Sequence, residues 1–388
     1  MGNPEDVTVS VGITDEHVAR WPAAPVGLDL AEIGISSSGY FVVYSENIEI
    51  ASQADDLDGD GHPDELFLLL DLRSDTDSRI VIARSDDPPT YPSRTQAIVA
   101  VRNGGTFSNG LYVDGSVYEP VSFVNVPDDQ EQDSDWAMFE GPVWESDLIG
   151  FRYYLDDRNR TDIFGKRIPA LVLHSVEGDY HAIGEWGADI LKVGGSLGLG
   201  SPAVLIGETL SLIDNAESRT VEVVASGPLR SILRSTHTGW KVAESHVNVV
   251  SELEIHAGQR WTEQRLTIDG LQDDARLATG IVRHPAASEL HTGEIAGVYY
   301  MYTWGAQSDQ GHNLGMAILV PQRFDPVVHE SDPASHVVTF LADGGRATYR
   351  YLAAWELEST PIPDRESFEM EVRLVAMRWG TAIEVARG

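Results

Sequence analysis

Apolar residues recur at every second position along most of this chain. A period of two commits a segment to β-structure, because successive strand side chains point to opposite faces. From 246 to 256, Val247, Val249, Leu253 and Ile255 fall on one face, with Asn248, Glu252 and Glu254 on the other. The stretch 368–376 reads the same way, with Phe368, Met370, Val372, Leu374 and Ala376 against Glu369, Glu371 and Arg373. Further strands are expected over 41–50, 65–72, 117–126, 219–225 and 314–320, each bounded by Gly, Pro, Asp or Asn clusters. Helical periodicity is scarce; 188–193 has room for two turns at most. Half-buried antiparallel strands in this number must stack sheet on sheet, which predicts an all-β fold, a large antiparallel β-sandwich. No fixed repeat supports a propeller. The 388 residues read as one large sandwich domain, with N-terminal strands (about 1–130) packed on a main sandwich (about 136–388). The acidic run 127–135 is the expected flexible connection.

Charge narrows the partners. Lys+Arg 27 against Asp+Glu 61 leaves a net charge of -34, which opposes broad binding to nucleic acid or anionic lipid. Lysine is confined to Lys166, Lys192 and Lys241. A surface this acidic and lysine-poor is expected in a high-salt environment, where screening removes the self-repulsion. Cysteine is absent, so disulfides, thiolate metal sites and cysteine nucleophiles are excluded. Apolar runs such as 66–70 fall far short of the roughly 20 residues that span a bilayer. The opening residues lack a basic start and an apolar core; the expectation is a secreted or periplasmic protein whose leader is absent from the sequence.

The run 56–64 places Asp56, Asp58, Asp60 and Asp64 at positions one, three, five and nine of a loop, with Gly61 at six and His62 at seven. That spacing lets carboxylates and the His62 carbonyl wrap a hard cation. Phe67 stands where an EF-hand carries Glu, and a strand follows instead of a helix. A structural Ca²⁺ between two strands is expected, against the alternative of a solvated acidic turn.

The densest chemistry lies between 150 and 200. Arg152, Arg158, Arg160, Lys166 and Arg167 crowd one stretch of a chain that otherwise avoids positive charge, which suggests a specific anion; pairing with Asp156, Asp157 and Asp162 is the plainer explanation. Tyr180 and His181 follow, the residue types that move protons near neutral pH. Trp186 offers a flat ring for a sugar face. Lys192, Arg283, His284 and Trp304 complete a set of possible substrate contacts at strand ends. The run 194–200 is glycine-rich, yet it lacks the spacing of a nucleotide loop and reads as a turn.

Several motifs together resemble a bacterial family catalogued as a domain of unknown function, number forty-eight sixty-one. They are Arg152 with Tyr154-Leu155, Asp162-Ile163-Phe164-Gly165-Lys166, Asp179-Tyr180-His181, Trp186-Gly187-Ala188-Asp189 and Lys192-Val193-Gly194. The acidic loop and the segment from Trp304-Gly305 to Leu314-Gly315-Met316-Ala317 fit the same likeness, which covers most of the chain. It implies a secreted or periplasmic protein associated with polysaccharide degradation. The 227–260 strand pattern is also similar to the large sandwich of sugar epimerases (galactose-mutarotase-like) and polysaccharide lyases. The expected function is a polysaccharide lyase acting on an anionic, uronic-acid-containing polysaccharide by β-elimination. Lys166 and Arg152 would hold the carboxylate, His181 and Tyr180 would act as base and acid, and Trp186 would hold a neighbouring sugar. The alternatives are a calcium-stabilised glycan-binding protein without catalysis, or a glycan hydrolase or epimerase using carboxylates such as Glu185 and Asp189.

Overall fold

A computed structural model describes residues 6–388 apart from 15–17, 37, 273 and 288. The expectation of an antiparallel all-β sandwich is met. Its spine is a nine-stranded antiparallel sheet ordered Phe123–Asn125, Ser218–Ser226, Arg230–Val242, Ser245–His256, Trp261–Asp269, Arg346–Trp355, Leu314–Pro321, Val298–Gly305 and His291–Ile295. Two five-stranded sheets cover one face of it. One holds Ile149–Tyr153 and Thr161–Lys166, the other Arg276–Val282 and Ser335–Phe340. The core between the layers is continuous: Val247, Val249, Leu253 and Ile255 from the large sheet meet Trp144, Phe151 and Ile163 from one cover and Ile281 and Phe340 from the other. The 246–256 alternation therefore names the inward face correctly.

The opposite face of the nine-stranded sheet is covered in two places. At one end lies the helix Arg365–Gly380, which overturns the strand expected over 368–376. Residues four apart share both a helical and an alternating pattern, so Phe368, Val372 and Ala376 satisfy either reading. Val375 breaks the alternation by being buried, and Met370 breaks it by being 64% exposed. Asp364 caps the helix by accepting from the Ser367 N–H at 2.8 Å. Phe368, Val372 and Ala376 then pack on Tyr300, Tyr302, Leu319 and Leu352.

At the other end sits the N-terminal unit, with its own apolar cluster built from residues between Val9 and Ile82. It contains a three-stranded sheet of Arg20–Asp29, Glu65–Arg73 and Ser52–Asp55, and a five-stranded sheet in which Ile383–Arg387 pairs with Val7–Ile13. The 41–50 strand is a hairpin, Tyr40–Ser45 with Ile48–Ile50, turned at Glu46 and Asn47, which both take positive φ. The 117–126 strand breaks into Glu119–Pro120 and Phe123–Asn125. Residues 188–193 form the end of the strand Gly187–Asp189 and an irregular stretch, without helix. The acidic run 127–135 is anchored, with Gln130 and Ser134 both 1% exposed and Asp135 paired to Arg102. Among the described residues no helix is long and apolar enough to cross a membrane.

Candidate functional site

Three cations of the basic stretch, Arg152, Arg158 and Lys166, sit in ion pairs. Arg152 is fully buried, and its Nη2 donates to Asp162 Oδ2 at 2.5 Å and Asp189 Oδ2 at 2.6 Å. Tyr154 also donates to Asp162, at 2.6 Å, and accepts from Arg152. Burial works against the Arg152 charge, but Asp162 and Asp189 more than offset it and raise its pKa well above the ordinary value. Burial, seconded by Asp162, lifts Asp189 well above the carboxylate range. Arg158 is committed to Asp156 and Glu140. Lys166 is 1% exposed and bonds to Glu145 Oε2 at 2.5 Å. Glu145 in turn accepts from the Val172 and Leu173 N–H groups. Lys166 therefore has no face toward a substrate, and Arg152 meets two carboxylates before any ligand could reach it. Of the acids expected to pair with this stretch, Asp162 takes Arg152 and Asp156 takes Arg158, whereas Arg160 and Arg167 donate to backbone carbonyls.

Tyr180 and His181 do come together with Arg152. Their rings lie 4.5 Å apart, Arg152 Nη1 donates to the Tyr180 hydroxyl at 3.3 Å, and His181 Nδ1 stands 3.5 Å from Asp189 Oδ2. Burial raises the Tyr180 pKa against the pull of Arg152, so this phenol keeps its proton. His181 is exposed. Trp186 lies half-buried beside Phe164, centroid to centroid 6.1 Å. The remaining expected contacts lie apart from this group. Lys192 is exposed. The Arg283 guanidinium donates to the Asp332 and Ser335 carbonyls, and His284 Nδ1 accepts from the Ala286 N–H. Trp304 packs against Phe368 of the helix, the rings tilted by 35°. Gln310 links the 304–313 stretch to this group by donating to the His181 and Asp189 carbonyls, and the Asp309 N–H donates to the Ile190 carbonyl.

In the acidic loop, carboxylate oxygens of Asp56, Asp58 and Asp64 lie within 4.8 Å of one another. Asp56 accepts from the Gly59, Asp60 and Gly61 N–H groups; these outweigh its desolvation and hold its pKa below the usual range. Asp64 accepts from Leu57 and Asp58. Asp60 accepts instead from the His62 N–H, and its carboxylate is not among the converging three. The three converging carboxylates are the donor type that Ca²⁺ takes.

The chemically richest cavity is one the sequence reading missed. It lies where the N-terminal unit overhangs the outer face of the nine-stranded sheet and has a volume of about 410 Å³. Four adjacent strands supply charged outward residues in register: Arg234 opposes Glu252, which opposes Arg265, and Glu254 opposes Glu263, which opposes Arg350. Arg230 pairs with His256 at the next position along. Glu65 and Phe67 reach in from the N-terminal sheet.

Within this cavity His256 Nε2 lies 2.5 Å from Glu254 Oε1, while His256 Nδ1 has no partner. Phe67 and Trp261 both approach the imidazole, each with its ring centroid at 4.8 Å. Burial alone would raise the Glu254 pKa, but Arg265, His256 and Arg230 overcome it and hold the carboxyl well below its usual range. The ionised Glu254 carboxylate orients the imidazole through its contact with Nε2. Arg230 stacks on Phe67 and keeps Nη2 without a partner, though Asp55 and Glu65 hold its other nitrogens at 2.7 and 2.6 Å. The imidazole is oriented by Glu254 and packed between Phe67 and Trp261, with Nδ1 buried and unpartnered.

Two solved structures are similar to this chain in part. A protein of glycosyl hydrolase family 38 from Enterococcus faecalis superposes with a TM-score of 0.50 at 7% identity, covering 100% of this chain and 48% of that one. An alpha-mannosidase from Enterococcus faecalis V583 gives a TM-score of 0.49 at 7% identity, with 100% and 46% covered. This chain thus spans just under half the length of either. At such identity the first likeness speaks for the fold alone. No curated protein matches the sequence. A family pattern does match, over residues 15–385 and hence nearly the whole sandwich, so the chain belongs to the family described as a domain of unknown function, DUF4861.

Proposed function

We propose that this chain is a carbohydrate-active enzyme that moves protons on a sugar held in the charged cavity, with His256 as the acid–base group and Glu254 as the anion that orients it. The observation that carries the reading is the His256–Glu254 contact at the wall of the charged cavity, with Nδ1 buried and without a partner among the described residues. The sandwich shared with a glycosyl hydrolase family 38 protein, and aromatic walls beside paired polar groups, support a sugar as ligand. Arg230, Arg265 and Arg350 each already face carboxylates, so the cavity favours an uncharged sugar over a uronate. Hydrolysis or epimerisation suits it better than β-elimination, which needs an uncommitted cation to hold the developing charge. A Ca²⁺ held by Asp56, Asp58 and Asp64 would act structurally, pinning the loop that joins Ser52–Asp55 to Glu65–Arg73. Secretion into a high-salt environment fits the acid excess.

A second reading keeps β-elimination of a uronic-acid polysaccharide at Tyr180 and His181. It draws on the protonated Tyr180 phenol beside an exposed imidazole that is backed by Asp189.

Neutral and uronate oligosaccharides separate the two. The leading reading expects new reducing ends or anomer exchange on a neutral substrate, lowered by about 10² or more in His256→Asn, as acid–base groups typically contribute. An unsaturated, ultraviolet-absorbing product that survives His256→Asn and vanishes in His181→Ala would overturn it in favour of the second.

A further inference from the structure

The three-stranded N-terminal sheet has a cavity on each side. Glu65 and Phe67 of one strand line the charged cavity, while Leu66 between them points the other way, into a second cavity of about 490 Å³. Small-molecule sites run from roughly 300 to 1,000 Å³. Four separate stretches build it: Tyr40 and Phe41 at the head of a strand, Asp56 and Pro63 from the acidic loop, 88–91, and 226–228.

Its chemistry differs from that of its neighbour. Among the described residues no lysine, arginine or histidine lines it, whereas Asp55 and Asp56 do, so anions are disfavoured. The Tyr40 side of the cavity is open, that residue being 47% exposed. Tyr91 is held in place by donating from its hydroxyl to Glu49 Oε1 at 3.1 Å. Pro63, Pro88, Pro89 and Pro228 have fixed φ and stiffen the walls, which lowers the ordering cost of binding. At the floor, Gln53 donates to Asp55 Oδ1 and to the Arg230 carbonyl, and accepts from the Leu229 and Arg230 N–H groups. The floor is thereby rigid and joined to the backbone of the charged cavity.

The rings of Tyr40 and Tyr91, with their hydroxyls and that of Thr90, complement an uncharged sugar, whose C–H face stacks while its hydroxyls hydrogen-bond. We propose that this cavity is a second glycan-binding site, taking a neutral sugar unit and separate from the cavity where the chemistry occurs. The proposal rests on the carbohydrate reading above and adds a site to it.

Calorimetric titration of the full chain with neutral hexaoses (manno-, cello-, xylo- and maltohexaose) tests it. Wild type is expected to show two classes of site on one of them. Tyr40→Ala, a change at a half-exposed ring, should weaken one class by about tenfold, the worth of a stacking contact. Tyr91→Phe should weaken the same class less, and His256→Asn should leave it intact. Binding that ignores Tyr40→Ala, or a single class lost in His256→Asn, overturns the second site and leaves the carbohydrate reading standing. No binding by any hexaose overturns both.

Discussion

Single residues separate structural charge from chemistry. Lys166 and Arg152 stood out because a lysine-poor, acidic chain keeps them, yet that same composition makes each cation precious for neutralising buried carboxylates. Lys166→Met should cost about 3–5 kcal/mol in a denaturant melt, because Glu145 would be left buried and uncompensated. Turnover per folded molecule should not change; a selective loss of turnover with intact stability would give Lys166 a functional role after all. His237 offers a pH signature. It is fully buried between Tyr153 and Asn159, and burial, seconded by Arg219 and Arg160, pushes its pKa down to about 3 from an ordinary 6.5. The unfolded imidazole takes up a proton near 6.5 and the folded one resists until about 3, so its contribution is constant above 6.5 and lost as pH falls through that window. Wild type should therefore lose up to ~1.4 kcal/mol per pH unit there relative to His237→Gln. Parallel stability curves for the two proteins would contradict this.

At the scale of elements, alternation tells which face of a strand is polar and is silent about what covers that face. The outward Glu252 and Glu254 were legible on their strand and His256 was not singled out, but only the overhanging Glu65 and Phe67, some 190 residues earlier in the chain, turn them into a cavity. The cross-strand register that aligns Arg234, Glu252 and Arg265 likewise has no one-dimensional signature, although mixed Arg and Glu on the polar faces of four successive strands is the signal that could have pointed there. The helix Arg365–Gly380 shows the opposite failure, since a strand and a helix agree on Phe368, Val372 and Ala376 and only Met370 and Val375 distinguish them. The acidic loop was legible in its spacing, but its hydrogen bonds assign Asp60 to the turn rather than to the converging carboxylates. If it holds Ca²⁺, added calcium should raise the melting temperature of wild type and a chelator should lower it, while Asp56→Asn with Asp64→Asn should respond to neither. An unchanged melt in wild type would leave the loop a hydrogen-bonded turn.

The whole molecule carries a net charge of -34, and most guanidiniums near the cavities are already spent on internal pairs. Self-repulsion on that scale falls with ionic strength, the Debye length shrinking from about 10 Å at 0.1 M to about 3 Å at 1 M salt. Thermal stability should accordingly climb between dilute buffer and molar KCl; a maximum in salt-free buffer would contradict the high-salt reading. The same excess of acid argues for a neutral glycan, since any approaching polyanion meets a repulsive surface and finds no uncommitted cation at Arg152, Lys166 or Arg265. The most direct measurement is the turnover of one neutral oligosaccharide by His256→Asn and His181→Ala, side by side in molar salt and followed by NMR of the product. The cavity account predicts that His256→Asn loses about 10² or more in rate while His181→Ala stays near wild type. Full activity in His256→Asn with loss in His181→Ala would contradict it and return the chemistry to the Tyr180–His181 pair.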